Sequence, residues 1–104
     1  SFSIADVSDN YRLNLRSYSG TAGDSLIAHH NNQPFSTKDR DNDDYSGNCA
    51  ERSHGAWWYG SCYHSNLNGR YFNVATHNSY QGINWNSNSS YSLKSTEMKI
   101  RSKV

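Results

Sequence analysis

The 104-residue chain is short of the side chains from which most cores are built: Leu, Ile, Val and Phe together number 15, and mean hydropathy is −0.98. Such scarcity is typical of disordered chains, which also carry a large net charge and few aromatics. Here the net charge is only +1, and eight Tyr with three Trp supply large apolar surfaces. The expectation is therefore a folded domain with a small aromatic core. No excess of one charge sign marks a nucleic-acid or anionic-membrane partner, and neither is expected. No apolar run approaches the roughly 18 residues of a membrane-spanning helix, and SFSIAD lacks the basic start and apolar centre of a signal peptide. The sequence reads as a mature soluble chain. HExxH, GxSxG and P-loop spacings are missing, so no enzyme is expected.

Cysteine is scarce too. Cys49 and Cys62 are the only two, and their separation fits no CxxC zinc or redox pattern. A disulfide is the better reading than two free thiols, and it points to an oxidising, extracellular setting. A domain of this size buries only about two-thirds of its unfolded surface, so covalent or metal staples would help it. Asn88-Ser89-Ser90 is an acceptor sequence for N-glycosylation.

YRLNLRSY places Tyr11, Leu13 and Leu15 on one face and Arg12, Asn14 and Arg16 on the other, the period-2 pattern of a half-buried strand. TEMKIRSKV repeats the pattern, with Met98 and Ile100 facing one way. Asp24 is placed to N-cap a short helix through SLIAHH. Asn68-Gly69 is a strong turn dipeptide, so Leu67 to Thr76 reads as a turn entering a strand through RYFNVAT. Two long segments, 31–61 and 77–90, are too rich in Asn, Ser, Asp and Gly to hold a period. Loops of such length in a small domain are usually functional or disordered. Trp57 and Trp58 are expected in the core, and His29 and His30 to be structural.

One loop carries most of the acid. DRDNDDYSGNC puts Asp39, Asp41, Asp43 and Asp44 within six residues. Alternate Asp side chains and exposed carbonyls suit calcium, which takes six to eight oxygens. An EF-hand would need Gly at the sixth position and Glu at the twelfth, where this loop has Asp44 and Ala50. The EF-hand reading fails, which leaves another type of calcium loop or a solvated turn stabilised by Asx hydrogen bonds.

The longer stretch PFSTKDRDNDDYSGNCAERSHGAWWYGSCYHSNLNGRYF resembles the fibrinogen-related (fibrinogen C-terminal-like) domain family, in its ficolin, tachylectin and tenascin branches. FSTxDxDND, GNCA, GAWWY, a second cysteine 13 residues after the first, and SNLNGRY occur in order. HNSYQGINW and EMKIR extend the match over most of the chain. The resemblance implies an α+β fold with a twisted antiparallel sheet, short helices and a long loop-rich binding region. It also implies that residues 1–104 form the C-terminal half of such a domain, with the calcium loop and ligand pocket within residues 39–91. The missing N-terminal half, on the same or another chain, is then an expected partner, and an oligomer is expected.

By the same resemblance, calcium is held by the Asp41 and Asp43 side chains and the Tyr45 and Gly47 carbonyls, and a Cys49–Cys62 bridge closes the loop. The ligand pocket beside the calcium would take an acetyl group or an N-acetylated sugar. A cis peptide at Ser61-Cys62 would aim a backbone N–H at the ligand, with His64 nearby and Tyr63, Tyr80 and Tyr91 as walls. Three pocket positions depart from the lectin pattern: Ser53 and Ser79 replace aromatics, and Tyr63 follows the second cysteine where many lectins have His. The implied function is a secreted, calcium-dependent lectin-like module of innate immunity. The alternative is an adhesion or receptor-binding domain whose partner is an extracellular protein and whose calcium is scaffold.

Overall fold

The computed structural model describes residues 1–72, 81–86 and 92–102. Within them the order is β1 (Phe2–Ile4), a 3-10 turn (Val7–Asp9), β2 (Leu13–Leu15), α1 (Ile27–His30), α2 (Cys49–Ser53), β3 (Ser65–Asn66) and β4 (Asn84–Trp85). Regular elements are short, and loops carry most of the described residues.

β1 and β2 form an antiparallel ladder with Phe2 opposite Leu15 and Ile4 opposite Leu13. Leu13 and Leu15 are buried with Asn14 exposed, as the alternation requires. Tyr11 does not join them. It and Asn10 take left-handed backbone angles, ending the connecting turn, so the strand starts two residues late and Tyr11 is exposed. Its carbonyl is used instead, accepting a bond from Trp58 Nε1 at 2.9 Å. Asp24 bonds the entry to α1 from two residues before the N-cap, which is Leu26 and has no side-chain cap of its own: Asp24 Oδ1 accepts from the amides of Leu26 and Ile27, both at 2.9 Å.

The core is aromatic. Trp57, Trp58 and Tyr59 are all buried, with Leu13, Leu15, Cys49 and Ala50 beside them. Burial of three successive residues requires cover on both sides of the backbone. Trp58 meets Phe2 and Phe35 edge-on, with ring centroids 6.1 and 5.2 Å away, while the Tyr59 hydroxyl donates to buried Asn66. Ser36 and Trp57 exchange main-chain bonds, which lashes the tryptophan segment to the start of the acidic loop.

β3 and β4 make a second antiparallel pair. The turn at Asn68-Gly69 is present, closed by Gly69 N to Asn66 O at 3.0 Å. A side chain at Gly69 would meet the Gly82 carbonyl at 2.4 Å, so this close approach admits only glycine. The strand expected after the turn is not formed over 70–72, where Arg70 makes a single parallel bridge to Gly82; residues 73–76 lie outside the described residues. The strand expected in TEMKIRSKV is also not formed: no ladder runs through 94–102, and Met98 and Ile100 are exposed. An alternating pattern specifies a face, but a strand also needs a neighbour to bond, and no described residue supplies one there.

Candidate functional site

The acidic loop is organised by its own carboxylates. Asp41 Oδ1 accepts the Asp43 amide at 3.1 Å. Asp43 in turn accepts the Tyr45 amide on Oδ1 and the Cys49 amide on Oδ2, both at 2.9 Å. Burial raises the Asp43 carboxyl above its ordinary range; the Cys49 and Tyr45 amides oppose that rise and the nearby Asp41 carboxylate adds to it. Asn48 caps α2, its side chain accepting from Glu51 N, and its amide group donates back to the Lys38 carbonyl. The Tyr45 ring closes over Gly47, where a Cβ would lie 2.8 Å from Cε2, and Arg52 holds the ring through its hydroxyl at 3.0 Å. Asp39 stays exposed and accepts from Thr37 Oγ1.

These residues fit a calcium ion. Each oxygen of Asp43 that accepts an amide keeps a second lone pair. Among the described residues the carbonyls of Tyr45 and Gly47 accept no main-chain hydrogen bond, which leaves them open to a cation. No group of three or more His, Cys, Asp or Glu side chains converges on a metal position among the described residues. The Asp41 and Asp43 carboxylates and the Tyr45 and Gly47 carbonyls are hard oxygen donors, of the kind that suits calcium better than a softer metal.

The loop is tied to a second segment. Cys49 and Cys62 are bonded, with Cα atoms 5.5 Å apart. Asp44 N donates to Gly60 O at 3.1 Å, and its carboxylate accepts from Gln33 Nε2. The Ser61–Cys62 peptide bond is cis. From Ser61 to His64 the chain then forms a short strip, with Ser61 and His64 exposed and Cys62 and Tyr63 half-buried.

His30 holds this strip in place. Its ring is fully buried and its Nε2 accepts two main-chain amides, His64 N at 3.0 Å and Ser65 N at 3.1 Å. An imidazole nitrogen that accepts cannot carry the proton, so the proton sits on Nδ1 and is donated to Trp58 O at 2.8 Å. Burial above all, with nearby His29 and His64, lowers the pKa to about 4 against the opposing pull of the Trp58 carbonyl and of Asp24. His29 stacks on His64 with centroids 4.4 Å apart. The structural role expected of His30 is what the fold uses, but its hub position has no local sequence signal, since its partners lie 28 to 35 residues away.

The structure brings together Asp41, Asp43, Tyr45, Gly47, Cys49, Ser61, Cys62, Tyr63 and His64 through these ties. Tyr80, Tyr91 and the glycosylation candidate Asn88 lie outside the described residues, as does Ser79. Ser53 is buried in α2, its carbonyl accepting from Asn66 Nδ2, so it lines no surface.

A family model described as the C-terminal globular domain of fibrinogen beta and gamma chains matches residues 1–103. The chain belongs to the fibrinogen C-terminal globular domain family. Fibrinogen C domain-containing protein 1-A of Xenopus laevis is 52% identical over 103 residues, covering 96% of this chain and 22% of that protein. Angiopoietin-related protein 6 of Mus musculus is 51% identical over 105 residues, covering 97% and 23%. This fibrinogen-family chain therefore spans less than a quarter of the length of these relatives. Among solved structures, the fibrinogen-like globe domain of human ANGPTL6 matches with a TM-score of 0.82 at 48% identity, over 89% of this chain and 43% of that one. Lamprey fibrin D-dimer, solved with the peptide Gly-His-Arg-Pro-amide, matches at 0.79 and 32% identity, over 89% and 36%. The fold is thus α+β and fibrinogen-like, as the motif series implies.

Proposed function

We propose that this chain is part of a secreted, non-catalytic recognition domain in which calcium stiffens the acidic loop and the adjoining strip from Ser61 to His64 contacts the ligand. The observation that supports it best is the linkage of the two: Asp43 bonds the amide of Cys49, whose disulfide partner Cys62 lies within the strip. Asp41 and Asp43 with the Tyr45 and Gly47 carbonyls would hold the ion, which would supply positive charge beside the Asp43 carboxyl, whose ionisation burial and Asp41 oppose. A stiff loop loses less entropy when a ligand binds. The disulfide agrees with an oxidising extracellular setting, and no helix among the described residues is long and apolar enough to cross a membrane.

For the ligand we favour an acetylated or carbohydrate group held against Tyr63 and His64, the aromatic ring offering an apolar face and a polar edge. The test is a glycan array in calcium, repeated with free acetate or N-acetylglucosamine as competitor, for the parent and Tyr63→Ala. Binding that both competitors remove and that Tyr63→Ala abolishes supports the reading; no glycan signal, or one indifferent to acetate, ends it. A second reading, an extracellular protein or peptide as ligand, is favoured by the peptide carried by the lamprey fibrin relative. Capture of a protein partner in calcium without any glycan signal would select it.

A further inference from the structure

Asn68-Gly69 is the one Asn-Gly pair in the chain. The pairing is chemically fragile. The main-chain nitrogen of a residue that follows asparagine can attack the side-chain Cγ, expelling ammonia and closing a succinimide, which water then opens to an aspartyl or isoaspartyl residue. Glycine, with no Cβ beside the attacking nitrogen, hinders that closure least. The fold nonetheless needs both residues. Gly69 is fixed by the Gly82 carbonyl, which leaves no room for a side chain. At position 68 a side-chain donor is needed, because Asn68 Nδ2 donates to the Ala56 carbonyl at 3.0 Å.

The closed turn engages each reacting group elsewhere. Gly69 N donates its proton to Asn66 O at 3.0 Å, and the nitrogen attacks only once that proton is given up. The flanks of the pair are pinned as well. Fully buried Asn66 donates through Nδ2 to the carbonyls of Ser53 and Gly82 at 3.1 and 3.2 Å, and Arg70 N donates to Gln81 O at 2.8 Å. Asn68 itself is exposed, so water reaches it. The turn withholds conformational freedom rather than solvent.

We propose that Asn68 is a modification site gated by this turn: it is deamidated through the succinimide when residues 66–70 open, and is spared while they are closed. In the ring closure a bond forms from Gly69 N to Asn68 Cγ and the Cγ–Nδ2 bond breaks. The side-chain nitrogen leaves as ammonia, taking up the proton that Gly69 N gives up. Hydrolysis then adds one water across either imide bond, and nothing is oxidised or reduced. The product does not restore the turn. A carboxylate offers only acceptors where Nδ2 donated to the Ala56 carbonyl. The isoaspartyl form also lengthens the main chain by one carbon beside the contact with Gly82. A lasting opening is thereby made permanent, at the end of β3 and just beyond the strip.

The experiment is peptide mapping by mass spectrometry after incubation at neutral pH, for the folded chain and for the chain unfolded in guanidinium chloride. In denaturant Asn68 is converted ahead of every other asparagine, and in the folded chain it is converted roughly 100-fold or more slowly. Small additions of denaturant to the folded chain raise the deamidation rate in step with hydrogen exchange at the Gly69 amide, because both need the same opening. Asn68→Asp, which puts the carboxylate in place from the start, speeds exchange at that amide about tenfold or more. The proposal is overturned if folded and unfolded chains deamidate Asn68 at similar rates, or if another asparagine is converted first in denaturant. It is equally overturned if Asn68→Asp leaves exchange at Gly69 unchanged.

Discussion

Acid should loosen this domain through His30. The ring is buried, carries its proton on Nδ1 toward Trp58 O, and accepts two amides on Nε2, so a second proton has no acceptor to face. Around it stand the His29 and His64 rings, which oppose a further positive charge, and Asp24, which favours one. The pKa falls from 6.5 to about 4. Between those values the unfolded chain binds more protons than the folded one, so stability rises with pH across the window. The contribution is complete above pH 6.5 and is lost as pH falls toward 4. At about 1.4 kcal/mol per pKa unit the loss is roughly 3 kcal/mol, a large share of the 5–15 kcal/mol that holds typical domains. Urea unfolding at pH 7, 5.5 and 4.5, in EDTA so that calcium does not enter, measures it. His30→Gln, which keeps a donor and an acceptor but cannot titrate, starts less stable at pH 7 and has a flatter slope. Equal slopes for the two proteins would refute the assignment of the proton linkage to His30.

Calcium at saturation, about 100 times its dissociation constant, should raise stability by about 2.7 kcal/mol and EDTA should reverse it; Asp43→Asn should abolish the difference, as read by thermal melting. Replacing Cys49 and Cys62 by serine should cost about 3 kcal/mol through loss of a 13-residue loop closure, seen as a lower urea midpoint under oxidising conditions. Gly69→Ala should cost about 1–3 kcal/mol in the same melts, because its methyl group meets the Gly82 carbonyl.

What could be read from the sequence depended on how local the cause was. Leu13 and Leu15 alternate within one strand, and Asp24 bonds amides two and three residues on, so both features were visible. The acidic loop was legible through its motif, and its internal Asx bonds span only two to six residues. TEMKIRSKV carried an equally clear alternation and forms no ladder over its described residues 96–102, because pairing depends on a neighbour and not on the pattern. Tyr11 fits the period but sits at a left-handed turn. His30 gave no sign of its bonds to His64 and Ser65, which exist only once the chain has folded back on itself.

Apart from the Cys62 disulfide, the hydrogen bonds that hold the strip and its flanks go to main-chain groups: His30 receives the amides of His64 and Ser65, and Asp44 donates to the carbonyl of Gly60. None of these three bonds uses a side chain from the strip. A different residue at 64 can therefore be presented from the same backbone position, as type is exchanged in a fixed forme. On the function proposed above, the scaffold and its message would change separately, so one frame would serve many ligands.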